Sequence, residues 1–364
     1  MIFKLSDLSF LKKKLFNTQI IMLGEPDHGA GRAFEIKTEL IKYLYNELGF
    51  RVLAFEADFH AGVMQKEKFT DCLYDFWSPR IDSMENFYNW YRGLPGGDPL
   101  HLCGFDCRRA YKLKEFYRSG AYRNKLLGNI KSDNFSNVEL SKFSRILDEL
   151  LIYEYKSQAV IEDKEYFFKA LDMMDTTDIF WKQEIENLKG YAFNAWYPDM
   201  NSSKFRDGQM ASNISWLAEK KYPNEKIIIW AHNYHILKDC SEVVCNESRS
   251  DIGFLMGEIL HKKYKKKICS IGIAGFKGAY SYEAYLGSYD KVKEINYDIS
   301  DCFENSLLSK DCDEYYLDLT QDNIHPSKFK SSALNLNYPQ DADWKKVYDG
   351  IIFTKKMTGL KILN

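Results

Sequence analysis

From Ile20 to Leu23 the chain carries four large apolar residues in a row, which reads as a strand buried on both faces. The run leads into Gly24-Glu-Pro-Asp-His-Gly29, a turn bearing a carboxylate, Glu25, and an imidazole, His28. Phe34, Ile36, Leu40, Ile41, Leu44 and Leu48 then recur at helical spacing as far as Gly49. A second apolar run over 51–58 ends in Glu56 and Asp58, so the unit reads as strand, helix, strand with a right-handed parallel crossover. Further runs predict strands at 99–106, ending in Asp106, at 226–235, ending in His232 and His235, at 268–275, and late at 315–319 and 350–354. Leu5, Leu8, Leu11 and Leu15 predict a lead-in helix over 3–17, and shorter helices are expected at 83–92 and 253–260. Residues 111–221 show only helical periods, at 138–155, 164–174, 180–191 and 202–221, with a bend over 194–201.

The fold expected is α/β: a mostly parallel central sheet flanked by helices, with a helical insertion capping the C-terminal strand edge. Residues 1–110 and 222–364 form the expected core and 111–221 the insertion or cap. Composition changes this picture little. A hydrophobic fraction of 45% suits a sizeable core, and 25 Tyr and 24 Phe supply rings for a roomy pocket. The net charge of −2 gives no electrostatic case for nucleic acid, and the Lys262–Lys267 run reads as a solvated loop. Eight cysteines include no CxxC or zinc-finger spacing, which fits a reduced, cytoplasmic setting. The N-terminus does not read as a signal peptide, and no apolar run is long enough to predict a membrane span.

Four successive strands therefore end in ionisable side chains: Glu25 with His28, Glu56 with Asp58, Asp106, and His232 with His235. If the strands are parallel, these collect along one rim of the sheet, where open α/β sheets bind ligands. Two mechanisms suit such a cluster. In one, a neutral histidine takes a proton from water while Glu25 or Glu56 fixes its tautomer, and a second histidine polarises a carbonyl or protonates a leaving group. In the other, the same side chains hold a divalent metal that activates the water, although His232 and His235 lack the HExxH pattern. A structural histidine that merely bonds its neighbours is the plain alternative. No GxSxG is present, Cys103 and Cys107 read as buried and inert, and Gly29-Ala-Gly31 is too short to cradle phosphate. Arg206 and Asn213 share one helical face beside Met210, Ile214 and Leu217. Arg206 reads either as a surface salt bridge or as a cation reaching the rim to stabilise an oxyanion or a carboxylate.

The motifs together resemble the erythromycin esterase-like family. Gly24-Glu-Pro-Asp-His-Gly29 is similar to its GE-x-x-HG signature. The segment to Glu56, Gly104-Phe-Asp106, Arg206-Asp-x-x-Met-Ala-x-Asn213, Trp230-Ala-His-Asn-x-His235 and Met256-Gly-x-x-Leu260 follow in the family's order, and 348–352 resembles its last strand. The resemblance implies hydrolysis of a macrolide lactone or related hydrophobic ester by histidine-activated water, without a covalent intermediate. His28 would be the base and Glu25 its neighbour, with Glu56, Arg206 and His232 completing the catalytic set. His235, Asp106, Lys37 and Asn233 are expected at the substrate. No cofactor or metal is expected, and the partner is a small-molecule ester rather than a nucleic acid or a membrane. A metal-dependent hydrolase and a non-catalytic accessory protein on the same fold are the alternatives. A neutral imidazole base should lose activity as pH falls through its pKa, ordinarily about 6.5.

Overall fold

A computed structural model describes residues 2–64, 66–131, 134–154, 157, 159–197, 202–243, 255–321 and 328–363. The strands in chain order are β1 (Ile2–Lys4), β2 (Ile20–Glu25), β3 (Phe50–Asp58), β4 (His101–Asp106), β5 (Lys226–His232) and β6 (Ile268–Gly275). They continue with β7 (Ala279–Ser281), β8 (Val292–Glu294), β9 (Glu314–Asp318), β10 (Lys328–Ser331), β11 (Gln340–Asp343) and β12 (Gly350–Thr354). Eight of them form one sheet in the order β1-β9-β12-β6-β2-β5-β3-β4. From β12 to β4 every pairing is parallel, and β9 and β1 add an antiparallel edge.

The unbroken apolar runs have a simple cause. Side chains alternate across a strand, and both faces of this sheet are covered. Ile20, Met22, Val52, Ala54, Ile227 and Ile229 join the core on one face. Ile21, Leu23, Leu53, Phe55, Ile228 and Trp230 join the core on the other, against the helices Gly31–Leu48 and Asp82–Arg92. Gly49 ends the first of these helices at φ 71°, a left-handed conformation that suits glycine.

The described residues of 111–221 are mainly helical, with long helices at Asn137–Tyr153, Ile161–Met173, Ile179–Trp196 and Ser202–Trp216 and a β-bridge between Lys131 and Asp175. Leu188, Met210 and Ile214 lie in the same core as the strand residues Ile227 and Ile229, so this segment is packed onto the sheet. The bend expected over 194–201 begins later than its pattern suggested, because the helix runs to Trp196, and 198–201 lie outside the described residues. The helix expected from 253 is seen as Met256–Tyr264, since 251–254 also lie outside them.

The lead-in helix is a correction. Residues 2–4 pair with β9 instead, and only Phe10–Lys14 is helical. The Asp7 carboxylate accepts the Ser9 backbone N–H at 2.9 Å, a local turn that competes with helix, and the open sheet edge supplies the strand pairing. Among the described residues no helix is long and apolar enough to cross a membrane.

Candidate active site

The parallel register places the strand ends side by side. Glu25 on β2 is directly opposite His232 on β5, and Asp58 on β3 is opposite Asp106 on β4. Two glycines of the Gly24–Gly29 turn allow the close approach this requires. A Cβ on Gly24 would lie 2.0 Å from Asn233 Oδ1, and one on Gly29 would lie 1.9 Å from the Ser281 carbonyl oxygen. The first motif therefore fits the strand-end motif of β5 and the β7 backbone only without side chains at these two positions.

His28 projects from the turn with a quarter of its side chain exposed, stacked on Phe76 at 4.7 Å and 17° and edge-on to His232 at 5.3 Å. Its Nδ1 lies 3.1 Å from Glu25 Oε1. The other oxygen of Glu25 binds Lys37 Nζ, and both of those side chains are fully buried. Burial pushes the Lys37 amine well below the ordinary lysine value, while Glu56 and the carboxylate it touches favour the charged form. Lys37 also donates to the Ala231 carbonyl at 3.1 Å and lies over the Trp230 ring. With Glu25 ionised, His28 Nδ1 carries the proton and donates it to the carboxylate, leaving the Nε2 lone pair as a base. Burial pushes the His28 imidazole down to about 4. Glu56 opposes that shift, while His235 and Arg206 add to it. The ring is therefore neutral throughout the neutral range, with an acid limit below the ordinary histidine value.

A second group backs this pair. Arg206 Nη2 donates to Glu56 Oε1 and to Asp106 Oδ2, both at 2.6 Å, and Nε donates to Asp106 Oδ1 at 3.0 Å. Of the two readings of Arg206, the inward one is observed: it is buried on carboxylates from two strand ends. Glu56 Oε2 accepts the His232 backbone N–H at 3.1 Å. His235 lies between Asp207, 2.8 Å from Nδ1, and Glu56, 3.3 Å from Nε2. Burial would lower its pKa, but the two carboxylates outweigh burial and raise it to about 10, so it is an imidazolium at neutral pH. Burial likewise would raise Glu56, yet His235 and Arg206 hold it well below the usual carboxylate range.

A cavity of about 340 Å³ opens in front of His28, Glu56 and Arg206, walled by Phe76, Arg108 and Tyr191 among others. His235, Asp106, Lys37 and Asn233, expected at the substrate, do not line it, because all four are buried with their polar atoms engaged by protein. Asn233 shows this most clearly. Its Nδ2 donates to the Ile273 and Ala333 carbonyls at 2.7 and 2.8 Å, and its Oδ1 accepts the Ile273 N–H at 3.2 Å, which ties β5 to β6. His232 is also committed. Nδ1 accepts the Tyr234 N–H and Nε2 donates to the Pro26 carbonyl, each at 3.1 Å. It therefore has no ring nitrogen to polarise a carbonyl or protonate a leaving group, and burial, with His28 and His235 adding, lowers its pKa to about 3. Asp58 faces elsewhere, bonded to Tyr117 at 2.5 Å and to the Ala110 N–H at 2.9 Å.

Among the described residues no three His, Cys, Asp or Glu side chains are grouped to hold a metal ion. Cys103 and Cys107 are buried thiols whose pKa burial pushes far up, as expected of inert core cysteines. Residues absent from the expected site include Tyr74, Phe76, Arg108, Tyr111, Glu154 and Tyr285, all on the cavity wall. Only Arg108 had a sequence signal, standing two positions past Asp106 at a strand end.

Comparison with known proteins bears on the family and the fold. YbfO of Bacillus subtilis (strain 168), named as a hydrolase by inference, is 31% identical over 313 residues, covering 75% of this chain and 68% of YbfO. A succinoglycan biosynthesis protein superposes with a TM-score of 0.74 at 19% identity, over 99% of this chain and 94% of that one. A mutant of the erythromycin esterase EreC in its open conformation superposes with a TM-score of 0.70 at 14% identity, over 96% and 93%. At these identities the two structures speak for the fold alone. The erythromycin esterase family model matches residues 153–357, and with the YbfO likeness this shows that the chain belongs to the erythromycin esterase family.

Proposed function

We propose that the protein is a hydrolase that cleaves an ester or lactone with a water activated by His28. The carrying observation is the buried relay Lys37–Glu25–His28, which fixes the imidazole as the Nδ1–H tautomer with Nε2 as the base at the cavity. In this reading, water attacks the carbonyl as Nε2 takes its proton, and Glu25 stabilises the imidazolium that forms. The same proton then passes to the departing alkoxide, so one ring serves as base and acid and the free acid and alcohol leave. Arg206, on the cavity wall and fixed by two carboxylates, stabilises the oxyanion in this reading. Glu56 positions Arg206, and through the His232 N–H it fixes the end of β5. His232 itself shapes the turn by holding Pro26.

Segment 111–221 acts in this reading as the cap of the cleft, since Tyr111, Glu154, Tyr191 and Arg206 all wall the cavity. Family membership and the name of YbfO support a hydrolase, and the name of EreC supports an ester or macrolactone among the substrates. The test is mass spectrometry of the protein with a panel of macrolactones and simple esters, with His28→Asn alongside. Gain of one water on a substrate, lost in the variant, supports the reading. Equal turnover by the variant overturns it.

A further inference from the structure

A second chamber of about 440 Å³ adjoins the cavity in front of His28 and shares Tyr74, Phe76, Arg108, Arg109, Tyr111 and Tyr285 as common walls. Each chamber alone reaches the size of an ordinary small-molecule site. A simple ester would therefore fill the first and leave the second to solvent.

The chemistry of the second chamber is mixed in a particular way. Its aromatic side is continuous with the catalytic ring, because His28 stacks on Phe76 and Phe76 stacks on Tyr74 at 5.4 Å and 8°. Tyr111 and Tyr285 approach from different segments and are 69% and 62% exposed, and Leu286 beside Tyr285 is 65% exposed. Large apolar side chains gathered at a cleft mouth mark ligand contact rather than scattered surface. The other side is charged. Arg108, Arg109 and Lys112 face Asp58 and Asp75, and Lys112 and Asp75 pair at 2.9 Å. Three basic groups against two acidic ones nearly cancel, so the chamber does not select a strongly charged ligand. A purely apolar ligand fits no better, since it would strip water from these groups and return no hydrogen bonds. A polyhydroxylated ring meets both sides: its C–H face packs on aromatic planes and its hydroxyls bond charged side chains at its edge.

We propose that the second chamber is a glycosyl subsite, which takes a pyranose-sized neutral ring attached to the ester that His28 attacks. The ring face lies on Tyr111 and Tyr285, and its hydroxyls bond Arg108 and the Lys112–Asp75 pair. The proposal rests on the hydrolase reading for the ester, but its binding part stands apart from catalysis.

The test compares two acetates of a ring-bearing primary alcohol, methyl 6-O-acetyl-β-D-glucopyranoside and cyclohexylmethyl acetate, which differ in the ring oxygen, the hydroxyls and the methoxy group of the sugar. The expected result is a kcat/KM at least about tenfold higher for the sugar ester, with the preference lost in Tyr285→Ala and in Lys112→Met and kept in Tyr285→Phe. Tyr285 is exposed, so its removal leaves the fold intact. A preference for the cyclohexyl ester, or a sugar preference that neither variant reduces, overturns the proposal. If neither ester is cleaved, the hydrolase reading suffers alone, and saturation-transfer NMR with methyl β-D-glucopyranoside decides the subsite. Transfer to the sugar ring protons that is lost in Tyr285→Ala supports it, and absence of transfer refutes it.

Discussion

Replacing Glu25 tests the relay at its centre, because Glu25 has two partners and no solvent. One carboxylate oxygen meets Lys37 and the other His28, and Glu25 and Lys37 are both fully buried. Glu25→Gln strands the Lys37 ammonium in a low-dielectric site, and breaking a buried pair in this way costs about 3–5 kcal/mol. Lys37→Met strands the carboxylate at a similar cost, with about 1 kcal/mol more for the lost bond to the Ala231 carbonyl. Were the two positions independent, the double variant would lose the sum, roughly 7–11 kcal/mol. Removing both charges leaves nothing stranded, so the double variant should instead lose only about 1–4 kcal/mol. Activity should not follow this recovery. An amide at position 25 can still accept the His28 Nδ1–H once Lys37 is gone, but it carries no charge to stabilise the imidazolium that forms when Nε2 takes the proton. Hydrolysis should stay about 10²-fold or more below wild type in the double variant. Denaturant unfolding of the four proteins, with kcat/KM for each, checks both parts. Additive stability losses would refute the buried pair, and a double variant with wild-type activity would refute the relay.

Other outcomes follow from the same geometry. Because burial lowers His28 to about 4, kcat/KM should hold flat from pH 8 to 5 and fall only as pH drops through about 4, whereas a loss centred on 6.5 would contradict the environment described. His235 has its pKa raised to about 10, so the stability it contributes is fully present below its unfolded value of about 6.5 and fades as pH rises toward 10; His235→Gln should flatten that alkaline part of the Tm profile. Asn233→Leu should lower stability by about 3 kcal/mol or more through the unpaired Ile273 and Ala333 groups, with KM unchanged in whatever protein folds, as unfolding curves and kinetics would show. Gly29→Ala should reduce both Tm and activity, since its Cβ meets backbone at Ser281 that cannot swing aside.

The parts of this protein legible in its sequence are those written by short-range regularity. β2, β3, β5 and β6 are continuous apolar runs because both sheet faces are covered, and their polar ends fall at one rim because the strands are parallel. That logic led to His28, Glu25 and Glu56, which stand at the rim; Arg206 joins Glu56 from a helix, where the pattern had left a surface salt bridge equally open. It could not separate residues that face the cavity from residues that support them. His232 and Asn233 sit one position apart at the end of β5, yet what commits them is bonding to Pro26, Ile273 and Ala333, distant in sequence. Likewise Glu154 lies just past a helix end and Tyr285 in a short turn beyond β7, where no period marks a cavity wall. β1 was missed for the same reason, since its strand state depends on β9, more than three hundred residues away.

The most direct test of His28 as the water-activating base is chemical rescue of His28→Ala by free imidazole, on the best ester found. The account predicts a loss of about 10²-fold or more with the fold retained, and partial recovery that saturates with imidazole as the base refills the space between Phe76 and Glu25. A variant within a few-fold of wild type without imidazole would contradict it.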